Sequence, residues 1–263
     1  QKDQQNPRFG RILASRRVAR TIMLGSAPST KEQNVRGIEA SRIRLGVVQP
    51  GENIAVFNDA LANLQASLAY LYNNPSSNRF WYDTRPTLRK TVEDRATQIA
   101  KDEVEYELET RLKKSRKERP FGGVHVCPAS SLDVPDEQSV RLVILRPADA
   151  YKSAQEGDKA ISAALEILMN RGTAPRIYRN MLAFVAPDQT TLESLRGEVR
   201  RYLAWKSIKD DAEILNLDAA QNREAADNLK RSDETVELRI KETYCHLLIP
   251  YIDRSADMKT IQW

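Results

Sequence analysis

Cysteine and histidine are scarce in this sequence, which excludes several kinds of site. Two of each occur among 263 residues. Two cysteines are too few for a disulfide framework and fit a reducing compartment, so we expect a cytoplasmic protein. They form the pairs His125/Cys127 and Cys245/His246, and neither spacing is usual for zinc. We therefore predict no metal site and no Cys–His nucleophile.

Long apolar runs and nucleotide-binding motifs are also missing. No apolar run approaches the roughly 20 residues that span a bilayer, and no basic-then-apolar leader follows Gln1. We therefore expect no membrane contact. None of the ten glycines lies in the frame Gly-x-x-x-x-Gly-Lys-Ser/Thr, and no apolar strand ends convincingly in Asp-Glu. We therefore predict that this sequence binds no cofactor, contains no catalytic residue and hydrolyses no nucleotide.

What the sequence does contain is an uneven distribution of charge. Residues 1–120 have 22 Lys and Arg against 14 Asp and Glu, whereas residues 121–263 have 19 against 22. Residues 1–44 alone have 10 basic and 3 acidic side chains. A basic half beside an acidic half favours an anionic partner, of which nucleic acid is the commonest, so DNA is the expected partner. The alternative is a solvated basic face, or one docked on an acidic neighbour.

The first part of the chain shows the element order of a winged helix. Apolar residues at helical spacing predict two helices at 12–24 and 37–45, and a third that starts near 60 and carries Leu71. A polar turn at 73–78 leads into residues 79–82, whose three aromatics suit a strand. Helix, helix, helix and aromatic strand therefore predict a winged-helix-like domain.

The second part predicts a small α/β domain with long helices, which makes the whole chain α+β. A charged helix from 87 to about 118 connects the two parts, and Pro120 marks the boundary between domains 1–119 and 120–263. Strands alternating with helices imply parallel strands. The predicted strands are 123–127, 140–145 and 181–186; the predicted helices are 159–169 and 190–208, a weakly packed stretch at 209–231, and a last helix from 236 that ends by Pro250.

Basic residues on the predicted helices and around the predicted wing are the candidates for contact with nucleic acid. For the two lysines, a solvated helix end that complements the helix dipole is the alternative. The candidates are Arg16, Arg17, Arg20, Arg42, Arg44, Arg79, Arg85, Lys113 and Lys114.

Two polar loops in the second part offer another candidate site. Arg176 and Arg179 precede the third predicted strand, and arginine donates two parallel hydrogen bonds to an anion. They are therefore candidates for an anion or partner site. The alternative is that this arginine loop pairs with the acidic loop at 130–137, which contains Asp133, Asp136 and Glu137.

Seven segments of the sequence belong to one ordered set of motifs. They are RVARTIMLGSAP (17–28), RGIE (36–39), RIRLGVVQPGE (42–52), FWYDTRPT (80–87), SLDVPDE (131–137), YRNMLAF (178–184) and RYLAWK (201–206). Together they resemble the large prokaryotic AAA+-like ATPases of the domain-of-unknown-function 499 family, in the region after the ATPase core. The likeness covers about Arg16 to Ile249. Arg85 departs from the family, which usually has glutamine there, and adds charge near the wing.

The resemblance implies a multidomain P-loop ATPase, often encoded beside DNA methyltransferases in phage-defence gene clusters. ATP and Mg²⁺ would then bind in motifs that precede Gln1, in agreement with the missing Met and the missing P-loop. The sequence therefore predicts a non-catalytic region of such an ATPase, which engages DNA or couples to partner subunits such as a methyltransferase, with an oligomer as one option. The alternative is a structural module that packs on the ATPase core without touching nucleic acid.

Overall fold

The computed structural model describes residues 2–27, 35–74, 77–114, 120–153, 157–252 and 261–262. These residues form a mixed α+β protein, which confirms the predicted class at that level. Contacts within the chain divide it into unit 1, residues 1–91, and unit 2, residues 92–263. The division lies earlier than the boundary predicted at 119–120, because most of the predicted connecting helix packs within unit 2.

Unit 1 combines helices with three short strands that form one antiparallel sheet in the order β1-β3-β2. The strand predicted at 79–82 is confirmed as β3. Strand β1 was missed, because its two residues are extended only through pairing with β3, and the helix predicted from Gly37 begins after it. The elements are α1 (Lys2–Gln5), α2 (Pro7–Gly10), α3 (Ala14–Ser26), β1 (Ile38–Glu39), α4 (Ala40–Val47), α5 (Ile54–Ser67), β2 (Leu71–Asn74) and β3 (Arg79–Tyr82).

The core of unit 1 is formed by one apolar stripe from each of its three longer helices. Val18 and Ile22, one turn apart on α3, are fully buried with Phe57 of α5. Helix α5 begins earlier than predicted, because the side chain of Asn53 accepts a hydrogen bond from the Ala55 amide and caps the helix. It also ends earlier, since Leu71 belongs to β2 and pairs with Tyr82.

Unit 2 is built around a four-stranded sheet in the order β4-β5-β8-β9. A further helix, α6 (Leu88–Gln98), spans the division between the units. The elements of unit 2 that follow it are α7 (Lys101–Lys114), β4 (Gly123–Val126), β5 (Arg141–Ile144), α8 (Lys159–Met169), β6 (Asn170–Arg171), β7 (Ala174–Pro175), β8 (Leu182–Ala186), α9 (Gln189–Asp210), α10 (Ala219–Thr243), β9 (His246–Leu248), β10 (Tyr251–Ile252) and β11 (Ile261–Gln262).

The sheet of unit 2 is covered on both faces. Strands β4, β5 and β8 are parallel, as predicted. Their sequences are mostly apolar because side chains on both faces of the sheet are packed. On β5, Val143 points into a core with α8, whereas Ile144 packs against the core that α7, α9 and α10 share. Two adjacent strand residues thus serve two cores.

Three helix predictions need correction. The charged helix predicted at 87–118 is two helices, α6 and α7, and residues 115–118 lie outside the described part; Asp102 and Glu103 suit the start of a second helix. The stretch from 219 is one well-capped helix, because Asp218 and Gln221 form a capping box. That helix ends at Thr243 rather than near Pro250, since 246–248 pair with β8 as an antiparallel edge strand.

Candidate interaction surface on helices α3 and α4

Arg17, a predicted nucleic-acid contact, is used inside unit 1. Its guanidinium pairs with Glu52 at 2.7 Å, donates to the carbonyl of Val47 and lies 5.0 Å from the ring centre of Phe57. The hydrogen bond from Arg17 is the main cause of the lowered pKa of the Glu52 carboxyl. Arg17 therefore ties α3 to the end of α4, and its charge is already compensated.

Arg79 and Arg44 also make internal contacts. Arg79 pairs with Glu39 at 2.6 Å and donates to the carbonyls of Arg36 and Gly37 at 3.1 and 2.9 Å. Arg44 donates to the side chain of Asn58 at 2.8 Å. Both link neighbouring elements of unit 1. Glu39 compensates the charge of Arg79, whereas Asn58 is uncharged and binds Arg44 without compensating its charge.

Arg16, Arg20 and Arg42 behave differently. All three are exposed, and none makes a side-chain hydrogen bond or ion pair with another described residue. Arg16 and Arg20 stand four residues apart on α3, a spacing at which like charges destabilise a helix slightly. Three uncompensated guanidiniums on two neighbouring helices therefore remain available to a partner.

Helices α3 and α4 meet closely where Gly46 faces Thr21, since a Cβ added to Gly46 would lie 3.0 Å from the Thr21 methyl group. Arg42 stands one turn before Gly46 and so lies on the same side of α4. On α3, Arg20 and Leu24 flank Thr21 on the exposed side. These positions form one continuous exposed surface along the two helices, which we call the α3–α4 face.

Large apolar side chains are interleaved with the arginines on the α3–α4 face. Leu24 is 76% exposed and Leu45 is 85% exposed, and Met23 also lies outside the core. Sequence reasoning treated these residues as part of the apolar stripes of two helices. A helical wheel contains the missed signal, because Leu24 falls on the side of Arg20, opposite the buried Val18 and Ile22.

The remaining predicted basic residues do not belong to helices α3 and α4. Arg85 is exposed after β3, and it has an interaction of its own. Lys113 and Lys114 are exposed at the end of α7 in unit 2, where Lys113 lies 3.6 Å from Glu109. These three residues therefore stay predictions.

Helix α5 lacks the charge expected of a helix that enters a DNA groove. Its fourteen residues include no lysine and no arginine, and the exposed Asp59 pairs with Arg8 at 2.8 Å. Phosphate neutralisation supplies most of the non-specific affinity for DNA. A groove-reading role for α5 is therefore poorly supported by its surface.

In unit 2, the arginine loop and the acidic loop pair with each other. The Arg176 side chain is 1% exposed and donates to the carbonyls of Ile167, Pro135 and Val134 at 2.8–2.9 Å. Asp136 accepts from two backbone amides of the arginine loop, and Arg179 donates back to the carbonyl of Arg176. This burial leaves the Arg176 guanidinium inaccessible to an external anion, whereas the role predicted for the half-buried Arg179 stays a prediction.

A histidine–aspartate pair stands at the start of α9. His246 Nε2 lies 3.2 Å from Asp188 Oδ2, and its ring packs on Tyr151 with centres 4.5 Å apart. Asp188 also caps α9 by accepting from the Thr190 side chain and the Thr191 amide, which lowers the pKa of its carboxyl. The cap uses Asp188 Oδ1 and the histidine contact uses Oδ2, so this residue joins β9 to the start of α9.

A cavity of about 620 Å³ lies beside the turn between α9 and α10, and Lys209, Glu213 and Asn222 are among its lining residues. The place where parallel strands of α/β folds usually collect ligands offers far less room. The groove beside the ends of β4 and β5, lined by Ser130 and Arg146, holds about 30 Å³, enough for about one water molecule. Among the described residues no group of three or more His, Cys, Asp or Glu is placed to hold a metal.

Comparisons with protein-family models, with curated proteins and with solved structures found no match for this chain. None of the helices in its described part is long and apolar enough to cross a membrane.

Proposed function

We propose that this chain is a non-catalytic region of a larger AAA+-like ATPase and couples it to a partner protein through the α3–α4 face. The observation that carries the proposal is the composition of that face. Arginine, methionine and leucine stand together there without acid or lysine. Protein interfaces are enriched in arginine and methionine and depleted in lysine and acids.

The resemblance to the domain-of-unknown-function 499 ATPases supports the larger context of this proposal. The order of helices and strands in unit 1, with a three-stranded sheet ending in a hairpin, is consistent with a winged-helix-like unit. The residues given contain no P-loop that would hold ATP and Mg²⁺, so no nucleotide step is assigned to them. Partners encoded with such ATPases, among them DNA methyltransferases, are the candidates for coupling.

DNA engagement is the second candidate, because the net charge of residues 1–91 favours it. This stretch has 14 Lys and Arg against 6 Asp and Glu, a net of +8. The exposed leucines of the α3–α4 face speak against it, since contacts to the phosphate backbone are polar. The protein partner is therefore the better-supported proposal.

Site-specific photo-crosslinking in cells tests the proposal directly. A photoreactive amino acid is placed at Leu45, and for comparison at Leu238, which is 58% exposed on α10 in unit 2. We expect a protein adduct from position 45 that is absent from position 238, with its identity read by mass spectrometry. A nucleic-acid adduct at position 45, or the same protein adducts at both positions, contradicts the proposal.

A salt-titrated DNA-binding assay separates the second candidate. If DNA is the partner, affinity falls steeply with salt, and R16E/R20E/R42E weakens it strongly, whereas R201E in unit 2 leaves it unchanged. Under our proposal, binding is weak and loses its sensitivity to these three positions at physiological salt. Tight binding that depends on them at that salt favours the DNA role.

A further inference from the structure

The charged residues of α3 and α4 are all basic, and one carboxylate, that of Asp3, caps the first turn of α3 by accepting from the Ser15 and Arg16 amides. Residues 14–26 and 40–47 contain no aspartate and no glutamate, and all of their basic residues are arginine. Arg16, Arg20 and Arg42 are the members whose guanidiniums are exposed without a partner among the described residues. Arginine offers a planar fork that binds a carboxylate through two parallel hydrogen bonds. The complementary surface therefore carries carboxylates.

The apolar members of the face are spaced to receive side chains from one element. Leu24 on α3 and Leu45 on α4 lie on either side of the line where Thr21 meets Gly46. Gly46 is exposed, and the Thr21 methyl group fills the space where its side chain would stand, so the two helices pack closely between the two leucines. A partner helix that lies along this pair of helices contacts them with residues three or four apart.

We infer that the α3–α4 face binds an amphipathic helix of a protein partner, whose contacting edge combines carboxylates with one or two large apolar side chains. This inference rests on the proposed function and names the chemistry of its partner. The carboxylates pair with Arg16, Arg20 and Arg42, and the apolar side chains pack on Leu24 and Leu45. Charge complementarity selects the partner, and apolar burial supplies most of the affinity.

Selection from a displayed library of helical peptides tests the inference. The library presents random surface positions on peptides of about 15 residues, near the length at which isolated helices become stable. Selection uses the complete chain, and peptides that also bind L24E/L45E are removed. We expect the enriched peptides to carry Glu or Asp at spacings of three and four residues around Leu, Ile or Phe.

Charge reversal then locates the contact. Because exposed charge pairs contribute modestly to affinity, R20E/R42E should weaken the binding of an enriched peptide about tenfold. R201E/R239E reverses two exposed arginines of unit 2 and serves as the matched control, which should leave affinity unchanged. Circular dichroism of each variant checks that the substituted protein is folded.

Three outcomes overturn the inference. Enriched peptides that are neutral or basic, but still depend on Leu24 and Leu45, exclude acidic chemistry and leave the proposed function standing. Peptides that bind R20E/R42E and R201E/R239E equally place the contact elsewhere. The third outcome is that no enriched peptide depends on the α3–α4 face, while the chain binds anionic vesicles or DNA and loses that binding in R20E/R42E. That outcome contradicts both the inference and the proposed coupling to a protein.

Discussion

The buried arginines of unit 2 and the exposed arginines of unit 1 are used in different ways, although unit 2 also has exposed arginines without a side-chain partner among the described residues, among them Arg223 and Arg231. In unit 2, Arg111, Arg176 and Arg196 are buried and bonded to carboxylates or carbonyls. In unit 1, Arg17 and Arg79 are compensated internally, but the exposed guanidiniums of Arg16, Arg20 and Arg42 are not. The comparison teaches that arginine content alone does not locate a binding surface. What distinguishes the two uses is whether an acid or a carbonyl lies within reach of each guanidinium.

The largest expected effect comes from removing Arg176. R176M leaves three buried carbonyls without donors, and each unsatisfied group costs about 1–3 kcal/mol. We expect the free energy of unfolding to fall by about 3 kcal/mol or more, measured by urea denaturation followed by circular dichroism. R179M, which removes a single donor at 3.1 Å, is the control and should cost far less. Equal losses in the two variants would contradict this account of Arg176.

Removing Arg111 should have the next largest effect. Arg111 links Glu107 on its own helix to Asp233 and Glu237 on α10 at 2.6–2.8 Å, and its guanidinium lies 4.3 Å from the ring centre of Tyr202. R111M leaves three carboxylates facing each other, and we expect a loss of about 2 kcal/mol in the same assay.

The control for Arg111 is R239M, which breaks an exposed pair with Glu242 at 2.9 Å. Exposed pairs of this kind contribute about 0–1 kcal/mol. A small loss in R111M, similar to that in R239M, would show that the buried cluster does not hold α7 to α10.

Acid should weaken unit 2 partly through Asp188. The pKa of this carboxyl is lowered in the folded state, first by the hydrogen bond from Thr190. The ionised carboxylate therefore stabilises the fold fully above the unfolded pKa of about 3.9. This contribution is lost as the pH falls through the folded-state pKa. We expect D188N to be less stable than the parent at neutral pH and to lose less stability on acidification. Urea midpoints at about pH 6 and about pH 2.5 measure this, with D227N on the exposed side of α10 as the control.

The smallest expected effect is a change in stability that has opposite signs in the two units. R20E converts the like-charged pair with Arg16 into an opposite-charged one and should raise stability by about 0.3 kcal/mol. R201E breaks the exposed pair with Glu198 at 3.4 Å and should lower it by a similar amount. Thermal midpoints measured side by side resolve the two signs. A loss of stability in R20E would show that Arg20 already has a stabilising role inside unit 1.

The sequence was sufficient to predict the helices and strands that depend on local residue patterns. Helix α8 was predicted at its observed bounds from its apolar spacing and from Gly172 after it. Strands β1 and β9 were missed, since they exist only through pairing with partners distant in sequence. The candidate arginines stay predictions, and periodicity does not reveal that Arg17 reaches Glu52 or that Arg79 reaches Glu39.

The resemblance to an ATPase region suggested a place in a larger protein, but it did not indicate the α3–α4 face. The exposure of Leu24 could have been predicted from a helical wheel, because Leu24 falls on the side of Arg20. The close approach of α3 and α4 at Gly46 could not, because it depends on how two helices pack.

Asp188 has a consequence for the order in which unit 2 comes together. Its amide donates to the carbonyl of Thr243 and its carboxylate meets His246, so one residue closes a loop that contains the whole α9–α10 hairpin. Closing a loop of this length costs conformational entropy, which is offset by contacts that form late in folding. In hydrogen exchange we expect amides near Asp188 to open with the sheet, and amides around Asp218, at the far end of the hairpin, to open alone and sooner.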